Sequence, residues 1–177
     1  LTALLLFELL SRWFQANDGI ALAIPFIVGL IFVTHPIHTE VVANIKSRDE
    51  ILALLLLLIS FLSLHRRAIK NTMLWTSIGV TAYFGAMLAK EHAFTFIVIF
   101  PFTLYVFDKG KSWPEIAKSC LPYWIAAVVY FALRSAMVGG IAAETNMDLM
   151  ENPFAGVAAG EKFATIAYIL LKYIFLL

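Results

Sequence analysis

The apolar residues of this chain come in long runs separated by short polar breaks, and that spacing restricts the folds open to it. The runs cover positions 20–35, 51–64, 73–89, 92–107 and 120–138. A helix crossing the hydrocarbon of a bilayer uses about 20 residues, so the chain has room for about seven crossings with short connections. Of its 177 residues, 62% are hydrophobic and 14% charged, where soluble domains average about 45–50% and about 25%. These values exclude a soluble globular enzyme, a nucleic-acid binder and a disordered tail. A net charge of +1 provides no field for capturing a polyanion. The single cysteine, Cys120, excludes an internal disulfide framework and a cysteine-based metal site. The expected fold class is all-α, a polytopic transmembrane helix bundle.

Several runs are shorter than a usual span, so flanking polar residues must lie at the interface or the helices must sit in thinned bilayer. Leu4–Leu10 and Tyr173–Leu177 are apolar but too short to span, and they read as pieces of two cut helices around five complete spans. On this reading residues 1–177 are one part of a single membrane domain, truncated at both ends. Asn17-Asp18-Gly19 reads as a turn, and Ser47-Arg48-Asp49-Glu50 has the S-x-x-E spacing of a capping box ahead of an apolar run. Asn71 is placed to cap the next helix, and Trp113-Pro114 marks a boundary. Loops 11–19, 65–71 and 108–119 carry Arg12, Arg66, Arg67, Lys70, Lys109, Lys111 and Lys118. Loops 36–50, 90–91 and 139–162 carry only Lys46, Arg48, Lys90 and Lys162. The excess of Lys and Arg assigns the first set to the cytoplasmic side and the second to the exoplasmic side.

That sidedness collects the unusual polar residues on one face. In His35-Pro36-Ile37-His38-Thr39-Glu40, the residue before proline avoids the helical region and proline favours a first helical turn. A span should break at His35 and a short amphipathic helix restart at Pro36, with His38 inside its apolar arc. Metal binding by two histidines and a glutamate is possible in ligand type, but the spacing is not that of a helical metal site; no metal site is expected. Backbone bonding by the histidines and contact with a substrate both stay open. Capping and the helix dipole explain Ser47, Asp49 and Glu50, whereas Arg48 at a helix N-terminus calls for an ion pair or a shared anion. Lys90-Glu91-His92 interrupts an otherwise largely apolar stretch from Thr72 to Phe107. It is either a self-neutralising interfacial pair or a functional site. Arg134, near the exoplasmic end of its run, either snorkels or joins Arg48 and Lys90 around an anionic headgroup. Glu144, Asp148 and Glu151 make the 139–162 loop acidic, an ordinary solvated face, and Pro101 should kink its helix.

His35-Pro36-Ile37-His38-Thr39-Glu40-Val41-Val42-Ala43 followed by Arg48-Asp49-Glu50 resembles the H-P-[IV]-H-T-E-x-V-A…R-x-E signature of the transmembrane and tetratricopeptide-repeat O-mannosyltransferases. Lys90-Glu91 resembles that family's K-E, and Arg134, Asn152-Pro153 and Glu161-Lys162 follow in order. The spelling around Ser47 and Asp49 resembles a bacterial relative. The resemblance implies a GT-C type membrane glycosyltransferase. Such an enzyme moves a sugar, typically mannose, from a polyprenyl-phosphate carrier to Ser or Thr hydroxyls of an acceptor protein on the exoplasmic side. The lipid-linked donor, the acceptor protein and membrane lipids are then the partners, with no nucleic acid and no cofactor beyond the donor. The location would be a bacterial inner membrane, or the endoplasmic reticulum membrane in a eukaryote. The family's acidic base, expected in a first exoplasmic loop, and its tetratricopeptide repeats would lie outside this stretch, leaving an isolated piece inactive. Arg48, Lys90 and Arg134 are the candidates for the leaving phosphate, with Arg134 foremost. Glu40 and Glu91 would orient them or the acceptor, and His35 and His38 would shape the pocket. The rival readings are a transporter or flippase for a lipid-linked or anionic solute, which would place charge near the bilayer midplane, and a non-catalytic membrane scaffold.

Overall fold

The structure is a computed structural model that describes residues 1–14, 21–44, 47–66, 72–108, 110, 112–138 and 157–176, without the side chains of Glu40, Val138, Ala159 and Leu176. The expected turn at Asn17-Asp18-Gly19, the cap at Asn71 and the acidic stretch with Glu144, Asp148, Glu151 and Asn152-Pro153 lie outside the described residues. Every regular element among the described residues is helical. In order these are α1 (Thr2–Trp13), α2 (Ala23–Thr34), α3 (His38–Ala43), α4 (Arg48–Arg66), α5 (Thr72–Ala89), a 3-10 turn (Glu91–Thr95), α6 (Phe96–Phe107), α7 (Trp113–Val138) and α8 (Ala159–Leu176). The chain divides into two compact units, Leu1–Arg134 and Ser135–Leu177. In the second, α8 presents exposed side chains along its described length.

Local chemistry sets the boundaries. α2 stops where Pro36 forces His35 into extended backbone, at φ −65° and ψ 126°. α4 carries Asp49 and Glu50 in its first turn and His65 and Arg66 in its last, each complementing the helix dipole. α7 starts earlier than its apolar run because Ser112-Trp113-Pro114-Glu115 closes a cap: the Ser112 N–H donates to Glu115 Oε2 at 2.8 Å. Pro114 sits in the first turn, where a missing N–H costs nothing.

In the first unit α4 is the most enclosed helix, with Ala53, Leu57, Leu58, Ser60, Phe61, Leu62, Ser63 and Leu64 all buried. α5 turns Gly79, Ala82, Tyr83, Ala86 and Met87 inward; the small ones among them, Gly79, Ala82 and Ala86, let helix backbones approach closely. Phe100 of α6 is fully buried between Phe61, Tyr83 and Tyr123, at ring separations of 4.7, 5.0 and 4.9 Å. Pro101 cannot donate to the carbonyl of Ile97 four residues back, and the Trp124 indole N–H of α7 takes that carbonyl at 3.1 Å. A proline break in one helix is thereby satisfied by the next.

Helix ends alternate. Trp13 closes α1, His65 and Phe107 end α4 and α6, and they meet: the Trp13 Nε1–H donates to His65 Nε2 at 2.5 Å while its ring stacks on Phe107 at 4.5 Å. At the opposite end the start of α4, the end of α5, the 3-10 turn and Arg134 of α7 come together. Among the described residues two helices, Thr72–Ala89 and Trp113–Met137, are long and apolar enough to cross a membrane. Ala23–Thr34 and Glu91–Phe107 are apolar but shorter. Five complete spans were expected, and two helices meet the length and composition for one.

A side chain at Gly79 would place Cβ 2.2 Å from the Tyr123 hydroxyl and 3.1 Å from Ser63 Cβ, whereas at Gly29 nothing lies within 4 Å. Tyr123 is fully buried, and its ring carbon Cζ would also lie 3.2 Å from the new Cβ. Gly79→Ala should therefore destabilise the protein by about 1–3 kcal/mol through overpacking. Gly29→Ala should be neutral or mildly stabilising, since alanine is the better helix former. Thermal melting of the detergent-solubilised full-length protein compares the two.

Candidate functional site

Lys90 ends α5 in extended backbone, with φ −151° and ψ 125°, and its ammonium reaches across to the first turn of α4. Nζ lies 2.8 Å from Asp49 Oδ2 and 3.0 Å from Glu50 Oε1. The second oxygen of Glu50 lies 2.9 Å from His92 Nε2. An ionised carboxylate only accepts, so His92 Nε2 carries the hydrogen. Glu91, between these two stitches, turns the other way and pairs with Arg134 of α7, which also donates to the Tyr130 hydroxyl at 3.3 Å. The capping box read from Ser47 to Glu50 gives way here. The Glu50 carboxylate goes to Lys90 and His92, and the Glu50 backbone N–H is taken by Asp49 Oδ1 at 2.9 Å. A cation arriving from a neighbouring segment holds a carboxylate more strongly than a backbone N–H does.

The same chemistry fixes protonation. The hydrogen bond from Lys90 holds the Asp49 carboxyl below its ordinary value. The His92 and then the Lys90 hydrogen bonds do the same for Glu50. Asp49 and then Glu50 hold the Lys90 ammonium above its ordinary value.

Of the other expected residues, His38 rests on the Phe32 ring at 4.4 Å and lines a cavity of about 470 Å3. Mostly apolar side chains of α1 to α4, with Ala93 and Phe96, wall this cavity, and Glu50 and His92 also line it. His35 lines a neighbouring cavity of about 290 Å3 that shares His38, Val33 and Val42 with the first, and its Nδ1 accepts the Ile37 backbone N–H at 3.2 Å. Arg48 is exposed, and none of the ion pairs among the described residues includes it. The side chain of Glu40 lies outside the described set. Lys90 and Arg134 thus belong to two neighbouring groups of ion pairs, joined through the adjacent residues Lys90 and Glu91, with Arg48 next to Asp49 in sequence. Sequence reasoning missed Tyr130, whose position one turn before Arg134 was the available signal. It also missed Asp49 and Glu50 as partners, because capping already accounted for them. Among the described residues no group of three His, Cys, Asp or Glu side chains is placed to hold a metal ion.

Depressed carboxylate pKa values contribute stability that is complete above the ordinary carboxylate range and is lost as pH falls through the depressed values. The raised Lys90 value contributes stability that is complete below its ordinary value and is lost as pH rises through the raised one. Against Lys90→Met, the wild-type full-length protein should melt higher across neutral pH, with the gap closing at both extremes. A gap that persists in acid would show that the ion pairs are not its source.

No family model matches the chain, and no solved structure matches it. Among curated proteins it is 38% identical over 76 residues to the human protein O-mannosyl-transferase TMTC3, a match covering 41% of this chain and 8% of the relative. It is 50% identical over 50 residues to the human protein O-mannosyl-transferase TMTC1, covering 28% of this chain and 5% of that protein. It is 34% identical over 77 residues to the protein O-mannosyl-transferase Tmtc2 of Drosophila melanogaster, covering 40% and 8%. The chain spans less than a tenth of the length of these relatives, and over that part the similarity supports the resemblance to protein O-mannosyl-transferases.

Proposed function

We propose that this chain is part of the membrane domain of a glycosyltransferase, a polytopic GT-C type bundle. It moves a sugar, mannose first among them, from a polyprenyl-phosphate carrier to Ser or Thr hydroxyls of an acceptor protein on the exoplasmic face. The observation that carries this reading is that Glu50, Lys90, Glu91 and Arg134, all positions of the family resemblance, meet at one end of the helices, Lys90 paired with Glu50 and the adjacent Glu91 with Arg134. The partial similarity to O-mannosyl-transferases supplies the reaction class.

Burial supports the membrane. Only 28% of the Thr72–Ala89 helix and 33% of the most apolar 18-residue stretch of Trp113–Met137 are buried, although both are apolar. A core helix of a soluble protein hides most of such a surface. The outward side chains, among them Val98, Phe102 and Val128, would face lipid. The charged cluster then lies at an interface, where ionised groups cost less than at the midplane, and its loops belong to the side poorer in Lys and Arg.

Breaking the bond between sugar and phosphate leaves negative charge on the phosphate, and fixed donors aimed at it lower the barrier. Arg134 fits that task. Glu91 and Tyr130 engage part of a guanidinium with five N–H donors, and the side chain remains 45% exposed. Arg48 stands ready to share the anion with the α4 N-terminus. His38 and the rim of the larger cavity are the surfaces for the sugar or acceptor. The reading assigns no general base within the chain.

The test is sugar transfer by the full-length protein from polyprenyl-phosphate-mannose to a Ser/Thr peptide. Wild type should transfer, and Arg134→Gln should lower kcat by about a hundredfold or more, the loss usual for one charge-stabilising donor. Lipid binding without any transfer by wild type would sink the transferase reading.

A further inference from the structure

Lys90 reads from sequence as a third cation for the phosphate, yet its ammonium is occupied. Two of its three donors go to Asp49 Oδ2 and Glu50 Oε1, at 2.8 and 3.0 Å. Both carboxylates sit in the first turn of α4, where the helix dipole already favours them. Two residues further on, His92 is tied to the same Glu50 at 2.9 Å. Positions 90 and 92 are therefore fastened to α4 on one side of the strand-like entry to the 3-10 turn. The residue between them, Glu91, is turned to the other side, where it meets Arg134. The 3-10 turn is held from beneath as well, by the Tyr83 hydroxyl donating to the Phe94 carbonyl at 3.2 Å.

We propose that Lys90, clamped by Asp49 and Glu50, is a positioning residue that fixes Glu91 and through it the direction of Arg134, and that it does not contact the leaving phosphate. This role rests on the reading of Arg134 above. An anion approaching Lys90 would have to displace two carboxylates and would meet their charge, whereas Arg134 keeps open donors on its exposed side. A small displacement of Glu91 would re-aim the guanidinium, and misplacement of a stabilising group by about 1 Å costs about a hundredfold in rate.

The two roles separate in Asp49→Asn, which removes a clamp that touches no phosphate in either account. The full-length protein is measured for kcat, donor KM and equilibrium binding of unglycosylated polyprenyl phosphate. If Lys90 positions, Lys90→Gln and Asp49→Asn each lower kcat by about tenfold to a hundredfold, while donor KM and polyprenyl phosphate binding stay within about twofold. The double variant falls no further than the worse single one, as for residues acting through one contact. Lys90→Arg, which still reaches both carboxylates, restores most of kcat, and Arg134→Gln weakens polyprenyl phosphate binding. The proposal is overturned if Lys90→Gln weakens that binding, if Asp49→Asn strengthens it by releasing Lys90, or if the two losses multiply. Should Lys90→Gln fail to fold, Asp49→Asn and Lys90→Arg decide alone. A wild-type protein that transfers no sugar removes the functional reading and this role with it. A wild type that transfers while the cycle is multiplicative removes only this role.

Discussion

Buried backbone polar groups must find hydrogen-bond partners, and a chain this apolar has few polar side chains to offer them. Helices meet that demand along their lengths, and the structure is organised around the places where they do not. Pro101 leaves the Ile97 carbonyl without its helical partner, and Trp124 supplies one from α7. The change from α5 through extended backbone into a 3-10 turn leaves the Phe94 carbonyl for Tyr83. Each repair joins two elements, so local interruptions become the fixed points of tertiary packing. Around them Phe61, Tyr83, Phe100 and Tyr123 form a single buried aromatic group, edge-on or tilted to one another as ring quadrupoles favour.

The polar ends follow from the same constraint. Charge excluded from the apolar middle collects where helices finish, and the two ends are built differently. One is mainly aromatic: Trp13, His65 and Phe107 join three helix termini by a ring stack and one hydrogen bond, Arg66 lies over the Trp75 ring at 5.0 Å, and Glu8 pairs with Arg12 within α1 and lies 4.0 Å from Arg66. The other is ionic, a chain running from Asp49 through Lys90 and Glu50 to His92, with Glu91 and Arg134 beside it. Ring contacts tolerate sliding, whereas short charge-assisted bonds fix direction.

Much of this was legible in the sequence. The apolar runs located α2, α4, α5, α6 and α7, because helical hydrogen bonding is local and each run declares itself. Pro36 announced the break at His35, and the interruption at Lys90-Glu91-His92 announced the joint between α5 and α6. Residues 49, 90 and 134, grouped by loop charge in the sequence, lie at one end, Asp49 paired with Lys90 and Arg134 with Glu91. Pairing was not legible. Asp49 and Glu50 already had a sufficient local reason to stand at a helix N-terminus, so nothing in the pattern required Lys90. The Ser112–Glu115 cap went unread because Pro114 looked like a stop, although a proline in the first helical turn is a start. Trp124 and Ile97 are 27 residues apart, and no period or motif links an indole to a carbonyl orphaned elsewhere. Spans are properties of segments, whereas partners are properties of the packed whole.

Charge bookkeeping across the cluster limits what it can hold. Asp49, Glu50 and Glu91 oppose Arg48, Lys90 and Arg134, so the six formal charges balance before any ligand arrives. A balanced cluster attracts a phosphate only where its cations are unevenly committed. Lys90 has spent two of three donors inward. Arg134 shares its guanidinium with Glu91 and Tyr130 but keeps an exposed edge. Arg48 enters none of the ion pairs among the described residues and stands where the α4 dipole is already positive. The two arginines thus keep donors that the cluster's carboxylates leave uncommitted, whereas the lysine is held by two of them. Guanidinium groups suit that division, since a planar fork can serve a carboxylate on one edge and a phosphate on the other, while an ammonium held between two carboxylates cannot.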